Sequence, residues 1–332
     1  MFRRGAGLSR NDSDSARSTV KQGIFFAVRA IVSVLLVWWL FSRIDLTPVA
    51  AAAGRMSAGP MIAAFIVTVL ATVVLALRWL AVSRVLKMPL AAGREMWLTF
   101  VGLFFSQVLP STIGGDVVRV AILRRDGISI EQAAVTVILD RLSALVALLV
   151  VVGFSVPTLF ALIDDPVARW SMPAAVLLGA VGIVVLIALG SRLGVVVGRW
   201  RFLRPFVALG RGAYDLARSG SRLLLVVTLA LAILAGTVLV IWLIAESIAA
   251  DLSMLHCIVL VPPVILISMI PISIAGWGVR EGAMVVALGF VDVPAADALV
   301  ISLAFGILLI AAGLPGGVLW LLSGQRVRPE NS

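Results

Sequence analysis

A chain of 332 residues that is 61% hydrophobic and 13% charged, with a mean hydropathy of +1.14, is not a soluble domain. Such a domain would carry roughly twice that charged fraction. Several apolar stretches exceed the ~18 residues that cross a bilayer, so the composition predicts an all-α polytopic integral membrane protein. The formal charge of +10 sits in short basic segments between apolar runs, the pattern of topology signals and headgroup contacts rather than of nucleic-acid binding. A single Cys257 and a single His256 exclude a disulfide framework and a Cys/His metal cluster within one chain. Neither a metal nor a cofactor is expected.

In chain order, residues 1–23 read as a disordered basic leader, and 24–41 as an uncleaved first span within one membrane domain, 24–325. Arg29 snorkels from that span to the interface. A second span runs from about Pro60 to Leu80 and ends on Arg78-Trp79, read as an interfacial pair. Two arms follow, Met96–Leu109 and a second to about Leu123, joined by Pro110-Ser111-Thr112-Ile113-Gly114-Gly115. A span over about 130–154 carries Asp140 and Arg141 near its middle, and a loop is expected over 155–171. The segments 172–189 and 191–222 read as a linking span and a cytoplasmic stretch holding seven arginines. Leu223–Ala245 is a further span, with His256 and Cys257 near the start of the next helix. A second pair of arms, about 255–269 and 278–288, flanks Pro271-Ile-Ser273-Ile-Ala-Gly276-Trp277-Gly278. A last span, 296–322, leads to a cytoplasmic tail, 326–332.

Charge decides the topology. Arms of about 11 to 15 residues are too short for full crossings, so each pair reads as a re-entrant hairpin. With six full spans and two hairpins, the leader, 82–94, 124–125, 191–222 and the tail share one face and carry nineteen Lys/Arg. The opposite face keeps only Arg43, Arg55 and Arg169, as the positive-inside bias requires with both termini cytoplasmic.

The two special runs are related. Aligned on Pro110 and Pro271, five of ten positions are identical, among them Gly115/Gly276 and Arg119/Arg280, and each run is followed by a turn at Gly127 or Gly289. The repeat halves, 60–154 and 223–322, are separated by an odd number of crossings and are therefore inverted. Inverted repeats whose broken helices meet at the midplane belong to secondary transporters.

Buried arginines must be paired or bind anions, which makes Arg119 and Arg280 the leading candidates for gripping a lipid phosphate. The alternative is that Asp116 and Glu281 merely lock them. Asp116, three residues before Arg119, can reach it on a helix. Glu281 is expected to point about 100° away from Arg280 and to pair elsewhere. Asp140 and Arg141 are candidates for proton coupling or a substrate path, or for pairing with a hairpin residue such as Arg119. Ser111, Thr112 and Ser273 offer hydroxyls to a headgroup or to freed backbone amides. Phe105 and Trp277 read as packing residues. No hydrolase triad, P-loop or metal motif is present.

Leu109–Arg119, Asp140-Arg141 and Gly276-Trp-Gly-Val-Arg-Glu-Gly282, in this order, resemble the lysylphosphatidylglycerol synthase transmembrane-region (flippase-like domain) family over about residues 20–325. The motif positions carried over are Pro110, Gly114, Gly115, Asp116, Arg119, Asp140, Arg141, Gly276, Gly278, Arg280, Glu281 and Gly282, with Pro271 as the counterpart turn. The resemblance implies movement of anionic phospholipids, hopanoids or polyprenyl-linked lipids between leaflets of a bacterial inner membrane. Membrane lipids, and envelope biosynthesis enzymes, are the partners implied. Lysyl transfer is not expected of a chain ending at Ser332, and a transporter is favoured over an enzyme. The rival readings are a glycolipid-modifying membrane enzyme and a non-catalytic partner of an envelope complex.

Overall fold

The computed structural model describes residues 46–109, 113–162, 166–190, 204–269 and 277–323, all of whose regular elements are helices. In chain order they are α1 Leu46–Gly54, α2 Ala58–Val85, α3 Ala92–Val108, α4 Gly114–Arg125, α5 Ile130–Leu162 and α6 Pro166–Gly190. Next come α7 Arg204–Ala217, α8 Ser221–Ser247, α9 Met254–Ser268, α10 Val279–Gly289 and α11 Ala295–Leu322. Five stretches are long and apolar enough to cross a bilayer: α2, α5, Arg169–Gly190 within α6, α8 and α11. The protein is therefore a polytopic membrane protein. The expected first span, 24–41, and the leader lie outside the described residues, as do most of the tail and 191–203.

The paired arms are short. At 1.5 Å per residue, α4 with 12 residues and α10 with 11 reach about 17–18 Å, well below the ~30 Å of a hydrocarbon core. Each packs against the arm before it, α3 or α9.

Exchanging the set α2–α5 with the set α8–α11 reproduces the packing. The helices α2 and α8 pack on each other. α3 lies on α11 as α9 lies on α5, and α4 lies on α5 as α10 lies on α11. Backbone detail follows the same exchange. The helices α2 and α8 both end in a Schellman motif with a non-glycine residue in the left-handed region, Lys87 (φ 53) and Ala249 (φ 53). The turns after α4 and α10 use Gly127 (φ 87) and Asp292 (φ 59). Gly289, the expected second turn, is instead the last residue of α10, because the chain makes one more tight turn before Asp292.

Small residues explain the α2–α8 contact. Ala64, Thr68, Thr72 and Ala76 recur every four residues on α2 and are all buried. Gly236 of α8 lies against Ala71 and Val67. In a bilayer, such small-residue surfaces let backbones approach where no hydrophobic drive exists between helices. The threonine hydroxyls are satisfied by the carbonyls of Ala64 and Thr68 on their own helix.

Side-chain and backbone ties sort the connections onto two ends. Arg94 pairs with Asp126 at 2.9 Å, Trp97 donates to the Leu319 carbonyl, and Lys87 shares a cleft with Tyr214, Arg218 and Arg222. At the other end Arg55 pairs with Asp297 at 2.6 Å and the Ser57 amide donates to the Ser247 carbonyl at 2.8 Å. The first hairpin therefore opens on the basic end, and the loops flanking the second adjoin the other.

Two boundaries differ from expectation. α5 continues to Leu162 and α6 begins at Pro166, so the expected 155–171 loop is mostly helix. Pro157 and Pro173 lie inside these two helices. α2 continues to Val85, which carries Arg78 and Trp79 into the interior.

Candidate functional site

The cluster begins with that extension of α2. Arg78 lies seven residues from the helix end, about 10 Å inside it. Its Nε and Nη2 donate to Asp140 Oδ1 and Oδ2 at 2.9 and 3.0 Å, a bidentate pair with both side chains buried. Sequence order concealed this partnership, since the two residues are 62 positions apart and Arg78 precedes a basic loop. Asp140, ten residues into α5 and so about 15 Å deep, takes its partner from α2, not from the hairpin.

Arg141, on the next residue and hence another face of α5, donates from Nε to Asp116 Oδ2 at 2.8 Å. Asp116 is the third residue of α4, and its other oxygen stands 3.7 Å from Arg119 Nη1. Arg119 is buried yet loosely held. Its remaining contacts among the described residues are the carbonyls of Leu98 and Thr99, both at 3.4 Å, and the face of Trp79 at 4.9 Å. Gly102 makes room for it, because a Cβ there would overlap Arg119 Nε.

Arg280 is held differently. It donates from Nη2 to Glu281 Oε1 at 2.6 Å and from Nε to the same oxygen at 3.1 Å and to Ser302 Oγ at 3.2 Å. The expectation that Glu281 points away is wrong, and capping is the reason. As the third residue of α10, its carboxylate folds back to accept from the Gly278 amide at 2.6 Å, which swings Oε1 under the guanidinium. Trp277, read as packing, places its ring 5.1 Å from Arg280, with Phe305 at 5.6 Å. Phe105 does pack, edge-on to Phe104 and Trp320.

Arg78, Asp116, Arg119, Asp140, Arg141 and Arg280 line one cavity of about 1110 Å³, whose walls draw on all eight helices of the two exchange-related sets. Arg78, Arg119, Arg141 and Arg280, set in apolar spans and hairpin arms, all line this cavity. Arg124 and Arg125 at the end of α4 line it too, so six guanidiniums face Asp116, Asp140 and the Glu281 that pairs with Arg280, and the interior is net positive. The rest of the lining is largely apolar. Ile113 at the N-cap of α4, Val117 of α4, and Ile130 and Ile138 of α5 are exposed and part of it.

The glycines divide by role. Gly114 and Gly115 are the first two residues of α4, inside the helix. A Cβ on Gly115 would overlap the Gly102 carbonyl and Ser106 Oγ, so this position holds α3 and α4 together. Gly278 occupies the N-cap of α10 at φ 86, a conformation that side chains resist. Gly282 lies within α10 with nothing near a Cβ, and no packing reason for it is visible. Gly115→Ala is expected to destabilise the protein by about 1–3 kcal/mol or more through overpacking. Gly282→Ala is expected to stabilise it by up to ~1 kcal/mol through helix propensity. Thermal unfolding of the two variants in detergent measures the contrast. Pro110, Ser111, Thr112, Pro271, Ser273 and Gly276 lie outside the described residues.

No curated protein matches the sequence. A family model described as "Lysylphosphatidylglycerol synthase TM region" matches residues 26–316, nearly the whole chain and every helix that lines the cavity. The chain belongs to the lysylphosphatidylglycerol synthase transmembrane-region family.

Proposed function

We propose that the protein is a lipid translocase that moves an anionic membrane lipid between leaflets by alternating access. The observation that carries this reading is the cavity. It lies between two exchange-related helix sets, has mostly apolar walls, and concentrates four buried or half-buried arginines against three acids. An apolar wall suits acyl or polyprenyl chains, and a net positive interior suits a phosphate headgroup. Membership of a lipid-related membrane family supports the same reading.

The two halves act as an inverted repeat, one rocking on the other about the α2–α8 contact. The sorting of hairpin ends supports the inversion. One end carries Arg84, Lys87, Arg94, Arg124, Arg125, Arg218 and Arg222 beside Asp126, and the other Glu246, Asp251, Asp292 and Asp297 beside Arg55. By the positive-inside rule the basic end faces the cytoplasm of a bacterial inner membrane. Arg119 receives the headgroup. The Arg78–Asp140 pair holds α2 to α5 beside it, so Asp140 serves structure before it serves any proton coupling.

Leaflet exchange of fluorescent phosphatidylglycerol in proteoliposomes tests the proposal. Exchange is expected to be accelerated over protein-free vesicles, with little effect on phosphatidylcholine. No acceleration of phosphatidylglycerol or of any other anionic phospholipid would overturn the phospholipid form of this reading.

A further inference from the structure

We propose that Asp116 is a built-in counter-anion that competes with the phosphate of the lipid headgroup for Arg119. This rests on the lipid reading of the cavity and goes further, because it assigns Arg119 and Arg280 different duties.

The distances carry the argument. Asp116 is shared between two arginines, and the shares are unequal: 2.8 Å to Arg141 and 3.7 Å to Arg119. Among the described residues the hydrogen bonds of Arg119 go to carbonyls at 3.4 Å, at the long limit of a hydrogen bond. A phosphodiester offers oxygens that a guanidinium binds in bidentate fashion at about 2.7–2.9 Å. When such a group enters, Arg119 changes partner while Arg141 still neutralises Asp116, so no buried charge is orphaned. When it leaves, the Asp116 carboxylate is already in place to receive Arg119 again.

Arg280 lacks that freedom. The carboxylate of its partner Glu281 also accepts from the Gly278 amide and from Ser302, so displacing Glu281 would uncap α10. Arg280 therefore holds the second hairpin and is not free to change partner.

Equilibrium binding of fluorescent phosphatidylglycerol and phosphatidylcholine to the full chain in nanodiscs tests this. Wild type should prefer phosphatidylglycerol. Asp116→Asn and Asp116→Ser should each bind it about tenfold more tightly, with phosphatidylcholine unchanged, and Asp116→Glu should return towards wild type. A purely structural role would not tighten binding of one lipid class alone. If wild type shows no preference, the lipid reading and this inference fall together. If wild type prefers phosphatidylglycerol but neither neutral variant binds it more tightly, only the inference falls. Failure of both neutral variants to fold overturns it too, since Asp116 would then be an indispensable structural counter-ion.

Discussion

Arg78→Ala and Asp140→Ala are each expected to destabilise the protein by about 3–5 kcal/mol, while the double variant loses much less than the sum. The reason is the geometry of the pair. Both side chains are nearly inaccessible, their two hydrogen bonds are 2.9 and 3.0 Å, and among the described residues each finds its hydrogen-bonded ionic partner in the other. Removing Arg78 leaves the Asp140 charge about 15 Å along α5 without its hydrogen-bonded cation, and removing Asp140 leaves Arg78 buried on α2 without its anion. Removing both leaves only a packing defect. Thermal unfolding in detergent, run as a double-mutant cycle, reads the coupling directly. Independent, additive losses would mean that the pair does not hold α2 to α5.

Arg119→Gln and Arg280→Gln should separate binding from stability. Arg119 has no polar contact shorter than 3.4 Å among the described residues, so its loss costs the fold little. It should nevertheless weaken binding of an anionic lipid by about 10- to 100-fold, the worth of one or two charge-assisted hydrogen bonds. Arg280→Gln leaves Glu281 buried without its cation and should cost about 3–5 kcal/mol of stability. Lipid binding and unfolding, measured on both variants, should move in opposite proportions. Equal losses of affinity at unchanged stability would show that the two arginines share one duty.

The sequence reveals much of this site and hides one half of its central pair. Span lengths, the shortness of the hairpin arms, and the matched positions of Arg119 and Arg280 follow from local composition and spacing. Arg78 does not. α2 ends at a Schellman motif whose left-handed residue is Lys87, with no glycine to mark the stop, so the span reads as ending at Leu80, five residues before the helix does. An arginine that looks interfacial is therefore buried. Glu281 fails for a different reason. Angular position on a helix predicts where Cβ points, whereas a capping glutamate folds back along the axis and ends beside its neighbour. The duplicated left-handed turns show the reverse case. Lys87 and Ala249, or Gly127 and Asp292, share no residue type, yet the backbone repeats.

The central claim is that the cavity between the two halves communicates with each face in turn. Thr237 of α8 lines it, and Cys257 is the only native thiol. A Thr237→Cys variant in a Cys257→Ser background, reconstituted in vesicles and probed with a membrane-impermeant maleimide applied to either face, tests the claim most directly. The account predicts labelling from both faces. Labelling from one face alone, with or without anionic lipid, would contradict it.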